Sequence, residues 1–155
     1  MTGDATLRRY AGYGMKRAFN AIQADVNAAL APLGLRMITF STLAVIAENP
    51  GLRQSRLADI LAMERPNLVV VVDELERAEL ISRQRPPEDR RAYALQLTLA
   101  GRRLLDKALA AVNAHERRMT AGLTEEERQA LIRALARVEQ NGRRDQDDPA
   151  ELSCP

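Results

Sequence analysis

The 155-residue sequence is poor in the residue types that most catalytic and metal sites require. It contains one cysteine, Cys154, and one histidine, His115. A single thiol excludes an intrachain disulfide framework, and a single imidazole excludes a site built from several histidines. The sequence also contains no glycine-rich phosphate-binding loop and no usable pair of nucleophile and base. We therefore expect a protein that is not an enzyme and that holds no metal or cofactor.

Long apolar runs and a strong overall charge are also missing. The longest mostly apolar stretch, residues 38–47, is far shorter than the roughly 20 residues of a bilayer-spanning helix. The start of the chain lacks the apolar segment of a signal peptide, so we expect a cytoplasmic protein without membrane contact. The net charge is only +2. The distribution of charge, and not its total, must therefore indicate whether the chain binds nucleic acid.

What the sequence does contain is a regular succession of helical and extended patterns. Apolar residues at three- and four-residue steps predict helices, and the alternation at Tyr93, Leu95 and Leu97 predicts a strand. In chain order we expect a long helix over residues 4–30, two short helices within 39–62, a helix over 65–79, a β-hairpin within 80–97 and two helices within 98–141. The expected fold class is mainly α with a small β-hairpin wing, a winged helix-turn-helix.

Polar residues mark where several of these helices begin. Ser55 is a natural N-cap for the second short helix, and Thr98 for the helix that follows the hairpin. Thr124 and Glu127 have the spacing of a capping box, and Gly122 is expected to separate the last two helices. The polar tail over residues 142–155 is expected to fray.

Three local motifs carry a resemblance to a known family. Residues 89–101 fit the pattern D-x-R-x-x-x-[LIV]-x-L-T-x-x-G in full. Residues 65–67 resemble the start of that family's recognition helix, and residues 54–58 resemble its supporting helix. In these motifs and in the order of its elements, the chain resembles the MarR family of winged helix-turn-helix regulators from about residue 7 to residue 138.

The wing motif also has a physical interpretation of its own. Asp89 at the hairpin tip is placed to accept hydrogen bonds from Arg91 and to orient its guanidinium toward a phosphate or a narrow minor groove. Within residues 83–91 four arginines stand against two carboxylates, so the hairpin alone carries a net charge of +2. The alternative is an ordinary solvated hairpin, in which the same charges contact only water.

The resemblance implies further DNA contacts on the two helices before the wing. Arg65 suits a phosphate or a guanine edge, and Asn67 suits adenine. The start of the supporting helix is expected to anchor a phosphate, although for Ser55 the N-cap role is an alternative. The predicted DNA contacts are Gln54, Ser55, Arg56, Arg65, Asn67, Val69, Val70, Arg85, Asp89, Arg90 and Arg91.

The recognition helix departs from the family pattern at several positions. Val69, Val70 and Glu74 stand where many relatives carry Ser, Thr or Arg, and Glu79 stands where many carry a helix-ending glycine. Exposed valines would meet thymine methyl groups, whereas buried ones would pack against the wing, and both possibilities stay open. Because Glu74 would repel phosphate, we expect it to face away from DNA or to bond a neighbouring arginine.

Apolar stripes on the terminal helices exceed what a small winged domain can cover. The resemblance implies that residues 1–38 and 98–141 form a helical dimerisation region that intertwines with a second copy, next to a DNA-binding domain of residues 39–97. A two-fold homodimer places two recognition helices about one DNA turn apart. The expected partner is therefore double-stranded DNA with a pseudo-palindromic site.

MarR-type proteins often release DNA when a small anionic aromatic ligand enters the crevice between the dimer helices and the winged lobe. The resemblance thus implies a transcription regulator, expected to be a repressor, with an aromatic acid or aryl-CoA thioester as its effector. Tyr13, Arg17 and Asn20 share one helix face. The candidate ligand contacts are Tyr13, Arg17, Asn20 and Arg36, with Met37 and Phe40 as apolar walls. His115 is expected at the surface or at an interface.

A winged-helix module that binds proteins and does not bind DNA specifically is the alternative function. The two valines and the modest net charge favour it, whereas the arginine-rich wing opposes it. Neutralising Arg91 distinguishes the two functions, because it weakens DNA binding and flattens the salt dependence only if the wing contacts phosphates.

Overall fold

The computed structural model describes residues 3–85 and 93–147, with side chains up to residue 143 in the last helix. The chain forms two compact units, residues 1–116 and 117–155. In chain order the elements are α1 (Ala11–Leu30), α2 (Met37–Glu48), β1 (Leu52–Arg53), α3 (Gln54–Ile60), α4 (Arg65–Arg77), β2 (Ile81–Gln84), β3 (Ala94–Leu97), α5 (Leu99–Met119) and α6 (Glu125–Asp147). The predicted order of helix, helix-turn-helix, hairpin and two helices is confirmed.

The first helix is shorter than its apolar spacing predicts. It begins at Ala11, because Tyr10 adopts an extended backbone with φ −104° and ψ 127°. A single 3-10 turn, Leu7–Arg9, precedes it and contains no buried residue. The apolar spacing thus extends further toward the N-terminus than the helix does. The turn at Leu7–Arg9 has no buried residue, and without burial it gains little stability from being helical.

The sheet has three strands and not the two of a simple hairpin. Its order is β1-β3-β2, with both pairs antiparallel. Gly51, with φ +83°, turns the chain after α2 so that its N–H donates to the carbonyl of Leu95 at 3.0 Å. β1 was not predicted, because two residues carry no periodicity and the strand exists only through its pairing with β3. Because β1 and β2 pair with its two edges, β3 is the central strand. Its residues Ala94 and Leu95 are both buried, whereas Tyr93 just before it stays 41% exposed.

The core of the first unit lies beneath the helix-turn-helix. From α1 it takes only the C-terminal end, Val26 and Leu30. The largest fully buried apolar side chains are Leu30, Leu43, Ile46, Leu57, Leu68, Val72, Leu75 and Leu95. They come from α1, α2, α3, α4 and β3, so one continuous cluster fixes both helices of the helix-turn-helix against the sheet.

The junction between the end of α4 and the start of α5 explains the L-T-x-x-G part of the wing motif. The Thr98 hydroxyl donates to the carbonyl of Glu79 at 2.7 Å and accepts the Gly101 N–H at 3.0 Å, so the predicted N-cap is confirmed. The backbone N–H of Thr98 donates to the carbonyl of Leu80 at 3.1 Å. A side chain at Gly101 would overlap this carbonyl, with its Cβ only 2.9 Å from the Leu80 carbonyl carbon. Glycine is required here because the two segments approach closely.

Glu79 takes the left-handed conformation for which a glycine is better suited. Its φ is +57°, and the Leu80 N–H after it donates to the Leu75 carbonyl at 3.0 Å, which closes α4 in a Schellman-type cap. The position therefore has the geometry that a helix-ending glycine provides, although the chain carries a glutamate there.

The second unit is built mainly of α6, whose start matches the predicted capping box. Glu127 accepts the Thr124 N–H at 2.7 Å, and Thr124 accepts the Glu127 N–H at 3.2 Å. Gly122 separates α5 from α6 with φ +90°. Four apolar side chains of α6 are 42–48% exposed, namely Leu131, Ile132, Leu135 and Val138.

Across the described ranges, no single helix is long and apolar enough to cross a membrane; one pair, Ala11–Leu33 with Met37–Glu48, meets that criterion only in combination and is bent by 73°.

Candidate nucleic-acid interface and effector site

The two helices of the helix-turn-helix are joined by a very short turn. α3 ends at Ile60 and α4 begins at Arg65, with Ala62 in the left-handed region at φ +49°. The Met63 N–H donates to the carbonyl of Ala58 at 3.0 Å, which ties the turn to the end of α3. Pro66 occupies the first turn of α4. A backbone N–H there has no acceptor within the helix, so the lack of an N–H in proline costs no hydrogen bond.

A groove of about 210 Å³ lies between the starts of α3 and α4. Its lining residues are Gln54, Ser55, Ala58, Arg65, Leu68 and Val69. Four of the predicted DNA contacts therefore share one surface, because the short turn brings the beginnings of both helices side by side. Arg65 is exposed at the start of α4.

The apolar run of α4 is divided between the core and the surface. Leu68, Val71 and Val72 are buried, whereas Val69 is 41% and Val70 62% exposed. Asn67 is exposed on the same helix. Of the two possibilities left open for the valines, the structure supports exposure, since both side chains remain accessible.

The start of α3 differs from the prediction at Ser55. The helix begins at Gln54 with Arg53 as its N-cap, and no side chain caps it. Ser55 lies inside the first turn and is exposed, so the N-cap alternative for Ser55 is wrong. Arg56 is also exposed and lies 3.9 Å from Asp59, a long contact that leaves its guanidinium largely in solvent.

The wing is described only at its base. The predicted contacts Asp89, Arg90 and Arg91 lie outside the described residues. Arg85 donates to the Tyr93 hydroxyl at 2.7 Å and its guanidinium carbon lies 5.2 Å from the ring centre. The hydrogen bond to Tyr93 raises the pKa of Arg85 above its ordinary value. Tyr93 therefore holds the exposed Arg85 side chain at the base of the hairpin.

Arg83 has a structural role that its place in the arginine-rich hairpin did not indicate. Its guanidinium bonds Asp73 and, at 2.6 Å, Glu76, both on α4. The positive charge of Arg83 is thus balanced by two carboxylates of the recognition helix, and the same contacts clamp the wing to that helix. The local charge of +2 counted from the sequence overstates what the wing base offers to DNA.

Arg36 connects the start of α2 to the recognition helix. Its guanidinium forms an ion pair with Glu74 of α4. The buried Thr39 accepts the Arg36 N–H at 3.0 Å and donates to the Arg36 carbonyl at 2.9 Å, which fixes the backbone from which this side chain extends. The expectation that Glu74 bonds an arginine is confirmed, and the partner is one of the predicted ligand contacts.

Two other predicted ligand contacts meet at a carboxylate that the sequence did not single out. The Tyr13 hydroxyl donates to Asp4 at 2.7 Å, and the Arg17 guanidinium lies 4.0 Å from the same carboxylate. The Arg17 guanidinium carbon lies 5.9 Å from the centre of the Tyr13 ring. Asn20 is exposed further along α1. Tyr13 and Arg17 thus meet at Asp4, whereas Arg36 pairs with Glu74.

The predicted apolar walls are both partly buried. Met37 and Phe40 pack against the core from the start of α2. Asn27 of α1 accepts the Met37 N–H at 2.7 Å and so joins the first two helices. Asn27 was missed by the sequence analysis, since an asparagine on a helix carries no local signal for a contact ten residues away.

His115 is not at the surface, contrary to expectation. It is 3% exposed, and its Nδ1 lies 2.6 Å from a carboxylate oxygen of Asp25. The pair links α5 to α1 inside the first unit. In the described part of the chain no group of three His, Cys, Asp or Glu side chains has the arrangement of a metal site, so this pair is a link between helices.

A helix-turn-helix followed directly by a two-stranded arm, with the start of its second helix exposed, defines a winged helix-turn-helix protein. The model of the MarR family matches residues 35–93, from the start of α2 into the hairpin. The chain belongs to the MarR family of transcriptional regulators, as its motifs predicted. Members of this family are generally DNA-binding proteins without enzymatic activity.

Individual relatives agree with this assignment. A protein of Thauera aromatica, assigned as a transcriptional regulatory protein for the hcr operon, is 39% identical over 113 residues, which are 73% of this chain and 66% of that protein. The solved structure of the transcriptional repressor CouR bound to a 23-mer DNA duplex is 37% identical, with a TM-score of 0.84, and the match covers 90% of this chain and 97% of that one. CouR from Rhodococcus jostii bound to p-coumaroyl-CoA is 32% identical, with a TM-score of 0.76, over 82% of this chain and 90% of that one.

Proposed function

We propose that this protein is a homodimeric repressor that binds a pseudo-palindromic operator and releases it when an aryl-CoA thioester or aromatic acid binds. The observation that carries the proposal is the groove between α3 and α4. It gathers Gln54, Ser55, Arg65 and Val69 on one surface beside the exposed Val70. The exposed Arg65 supplies a guanidinium for a phosphate or guanine, and the two valines supply apolar groups for thymine methyls.

Support for the dimer comes from apolar surface that a single chain leaves uncovered. In α1, Phe19 is 48% and Ile22 38% exposed, and the stripe on α6 is exposed to a similar degree. Residues 1–38 and 98–141 are the proposed dimerisation region, and residues 39–97 the DNA-binding domain. A two-fold dimer presents two copies of the α3–α4 groove, and so reads two half-sites one DNA turn apart.

The effector class is supported by the relatives and by the cations near α1 and α2. CouR, a repressor with the same fold, has been solved with DNA and with p-coumaroyl-CoA. Arg17 and Arg36 are 57% and 52% exposed at their side chains, so both are accessible to an anionic ligand. We therefore place the effector near Tyr13, Arg17, Asn20 and Arg36, with Met37 and Phe40 as walls.

DNA binding tests the first half of this proposal. The probe is a duplex from the region upstream of the protein's own gene, measured by fluorescence anisotropy at roughly 50 mM and 200 mM salt. We expect a sequence-specific complex that weakens steeply with salt. Arg65→Gln should weaken it by about tenfold and reduce the salt slope by about one, because one phosphate or base contact is lost.

Arg77→Gln is the matched control, since it removes the same charge from the other end of the same helix. It should leave both the affinity and the slope nearly unchanged. Absence of a specific complex at either salt concentration would overturn the proposal and favour the protein-binding alternative, with the exposed valines of α4 as the surface to test.

Addition of p-coumaroyl-CoA tests the second half. It is expected to lower the affinity of the wild-type protein for the duplex and to raise its melting temperature in the absence of DNA. If neither p-coumaroyl-CoA nor free p-coumaric acid changes either quantity, the proposed effector class is wrong.

A further inference from the structure

The N-terminal segment places a carboxylate among the groups that an anionic effector needs. Asp4 accepts the Tyr13 hydroxyl at 2.7 Å and the Arg8 Nε–H at 3.0 Å, and Arg17 lies 4.0 Å away. The side chain of Asp4 is 19% exposed, whereas those of Arg8 and Arg17 are 50% and 57% exposed. The carboxylate is therefore largely covered while its cationic neighbours remain open to solvent.

This cluster is an oxyanion site in its chemistry. Arg8 and Tyr13 donate to the Asp4 carboxylate, and the Arg17 guanidinium lies 4.0 Å from it. Guanidinium and phenol groups donate equally well to a carboxylate or to a phosphate oxygen. Arg17 also lies over the ring of Tyr13, at 5.9 Å from its centre, which keeps the guanidinium and the phenol on the same side of α1. The donors thus converge on one small region, which Asp4 occupies.

The segment that carries Asp4 buries little apolar surface. The 3-10 turn after it, Leu7–Arg9, has no buried residue, and Leu7 is 49% exposed. Tyr10 is extended and 65% exposed, so α1 does not continue into this turn. Because almost no apolar surface is buried by this segment, moving it away from the cluster costs little free energy.

We propose that Asp4 is an internal competitor that fills an oxyanion subsite of the effector site formed by Tyr13 and Arg17 of α1, and that Arg8 leaves together with Asp4. The carboxylate or phosphate of the effector takes the place of the Asp4 side chain, and the N-terminal segment moves away. Asp4 thereby weakens the apparent affinity for the effector in proportion to how fully the closed form is populated. This inference rests on the proposed function, and its test distinguishes the two.

The test compares effector binding by the wild-type chain and by Asp4→Asn, measured by isothermal titration calorimetry. The amide keeps the size of the side chain but removes the charge that attracts the two arginines. We expect Asp4→Asn to bind p-coumaroyl-CoA about fivefold to tenfold more tightly, because the competing charge is gone. Asp106→Asn is the matched control: it makes the same change at an exposed aspartate of α5 and should leave the dissociation constant unchanged.

Three ligands with the same ring system separate competition from a merely structural effect. Free p-coumaric acid carries a carboxylate, its CoA thioester carries phosphates, and its methyl ester carries neither. A gain confined to the anionic ligands supports the competitor role. A gain with the acid alone assigns the subsite to a carboxylate, and a gain with the thioester alone assigns it to a phosphate.

An equal gain for the neutral methyl ester would overturn the inference, since removal of a competing charge acts only on anions. Equal dissociation constants of the anionic ligands for the wild-type chain and Asp4→Asn would overturn it as well, with the proposed effector class intact. If neither the wild-type chain nor Asp4→Asn binds any of the three ligands and none affects the DNA complex, the proposed effector class itself is wrong.

Discussion

The junction between the end of α4 and the start of α5 differs from the last helix, α6, in how closely its residues are packed. At the junction, Gly101 lies so close to Leu80 that no side chain fits, and Thr98 bonds backbone groups on both sides. On α6, Leu131 and Leu135 are 46% and 42% exposed, and a Cβ added at Gly142 would meet nothing within 4 Å. The contacts of the junction are made within a single chain, whereas the apolar side chains of α6 stay partly exposed in a single chain.

The difference indicates which parts of the chain are packed by the chain's own fold and which depend on a dimer partner to cover them. A backbone contact as close as that of Gly101 and Leu80 fixes the angle between α4 and α5, and with it the position of the recognition helix. The apolar stripe of α6 has no such internal constraint. It gains stability only when another surface removes it from water.

The largest expected effect is at the junction. Gly101→Ala should lower the free energy of unfolding by about 3 kcal/mol, because the new methyl group overlaps the carbonyl of Leu80 and the backbone must shift. Urea denaturation followed by circular dichroism measures it. The same substitution at Gly142 should instead raise stability by roughly 0.5–1 kcal/mol, since alanine favours the helix and nothing opposes it there. Equal effects at the two glycines would remove the contrast between the regions.

A smaller effect is expected on α6, and on assembly more than on folding. The double variant Leu131→Glu, Leu135→Glu should raise the dissociation constant of the dimer by about 30-fold, roughly 2 kcal/mol, because two charges enter an apolar contact. Sedimentation equilibrium measures this constant, and operator affinity should fall with it.

The double variant Arg133→Glu, Arg137→Glu controls for added negative charge on the same helix. Its positions lie on a different face from Leu131 and Leu135, beside a shallow surface depression. It should leave the dimer intact. A stable monomer in the wild-type protein at micromolar concentration would contradict the dimer altogether.

The smallest effect is expected where the junction itself is imperfect. Glu79→Gly should raise the free energy of unfolding by about 0.5–1 kcal/mol, because glycine adopts φ +57° without the cost that a side chain brings. Ala78→Gly is the neighbouring control. Ala78 has φ −79°, so glycine offers no relief there and should lower stability. If Glu79→Gly destabilises the protein, the glutamate side chain contributes more to stability than its left-handed backbone conformation costs.

Much of the fold was predictable because its signals are local. The three- and four-residue spacing identified α2 to α5 within a few residues, and Thr124 with Glu127 identified the start of α6. That helix continues to Asp147, past its predicted end at residue 141 and into the tail that was expected to fray. Glycine and proline marked the turns. In each case the residues that carry the signal lie within a few positions of one another, so the backbone geometry they favour does not depend on distant parts of the chain.

The partners of the charged side chains were not predictable in the same way. Arg36 and Glu74 are 38 positions apart, and Asp25 and His115 are 90 apart. In the sequence, nothing distinguishes Asp4, Arg36 and Arg83 from other solvated charged residues. The spacing of ionisable side chains does not indicate which residue each of them contacts. Only the packing of α1, α2, β2, α4 and α5 brings these groups together.

By itself, the sequence determined the helices, the helix-turn-helix, the wing motif and, through that motif, the family. Tertiary structure decided that β1 forms a third strand, that Arg83 clamps the wing to α4, that Val69 and Val70 of α4 are exposed and that Asp4 lies among two arginines and a tyrosine. The physical reason is the range of the interactions. Helix propensity and capping act over a few residues, whereas strand pairing, ion pairs and burial depend on surfaces that meet only after the chain has folded.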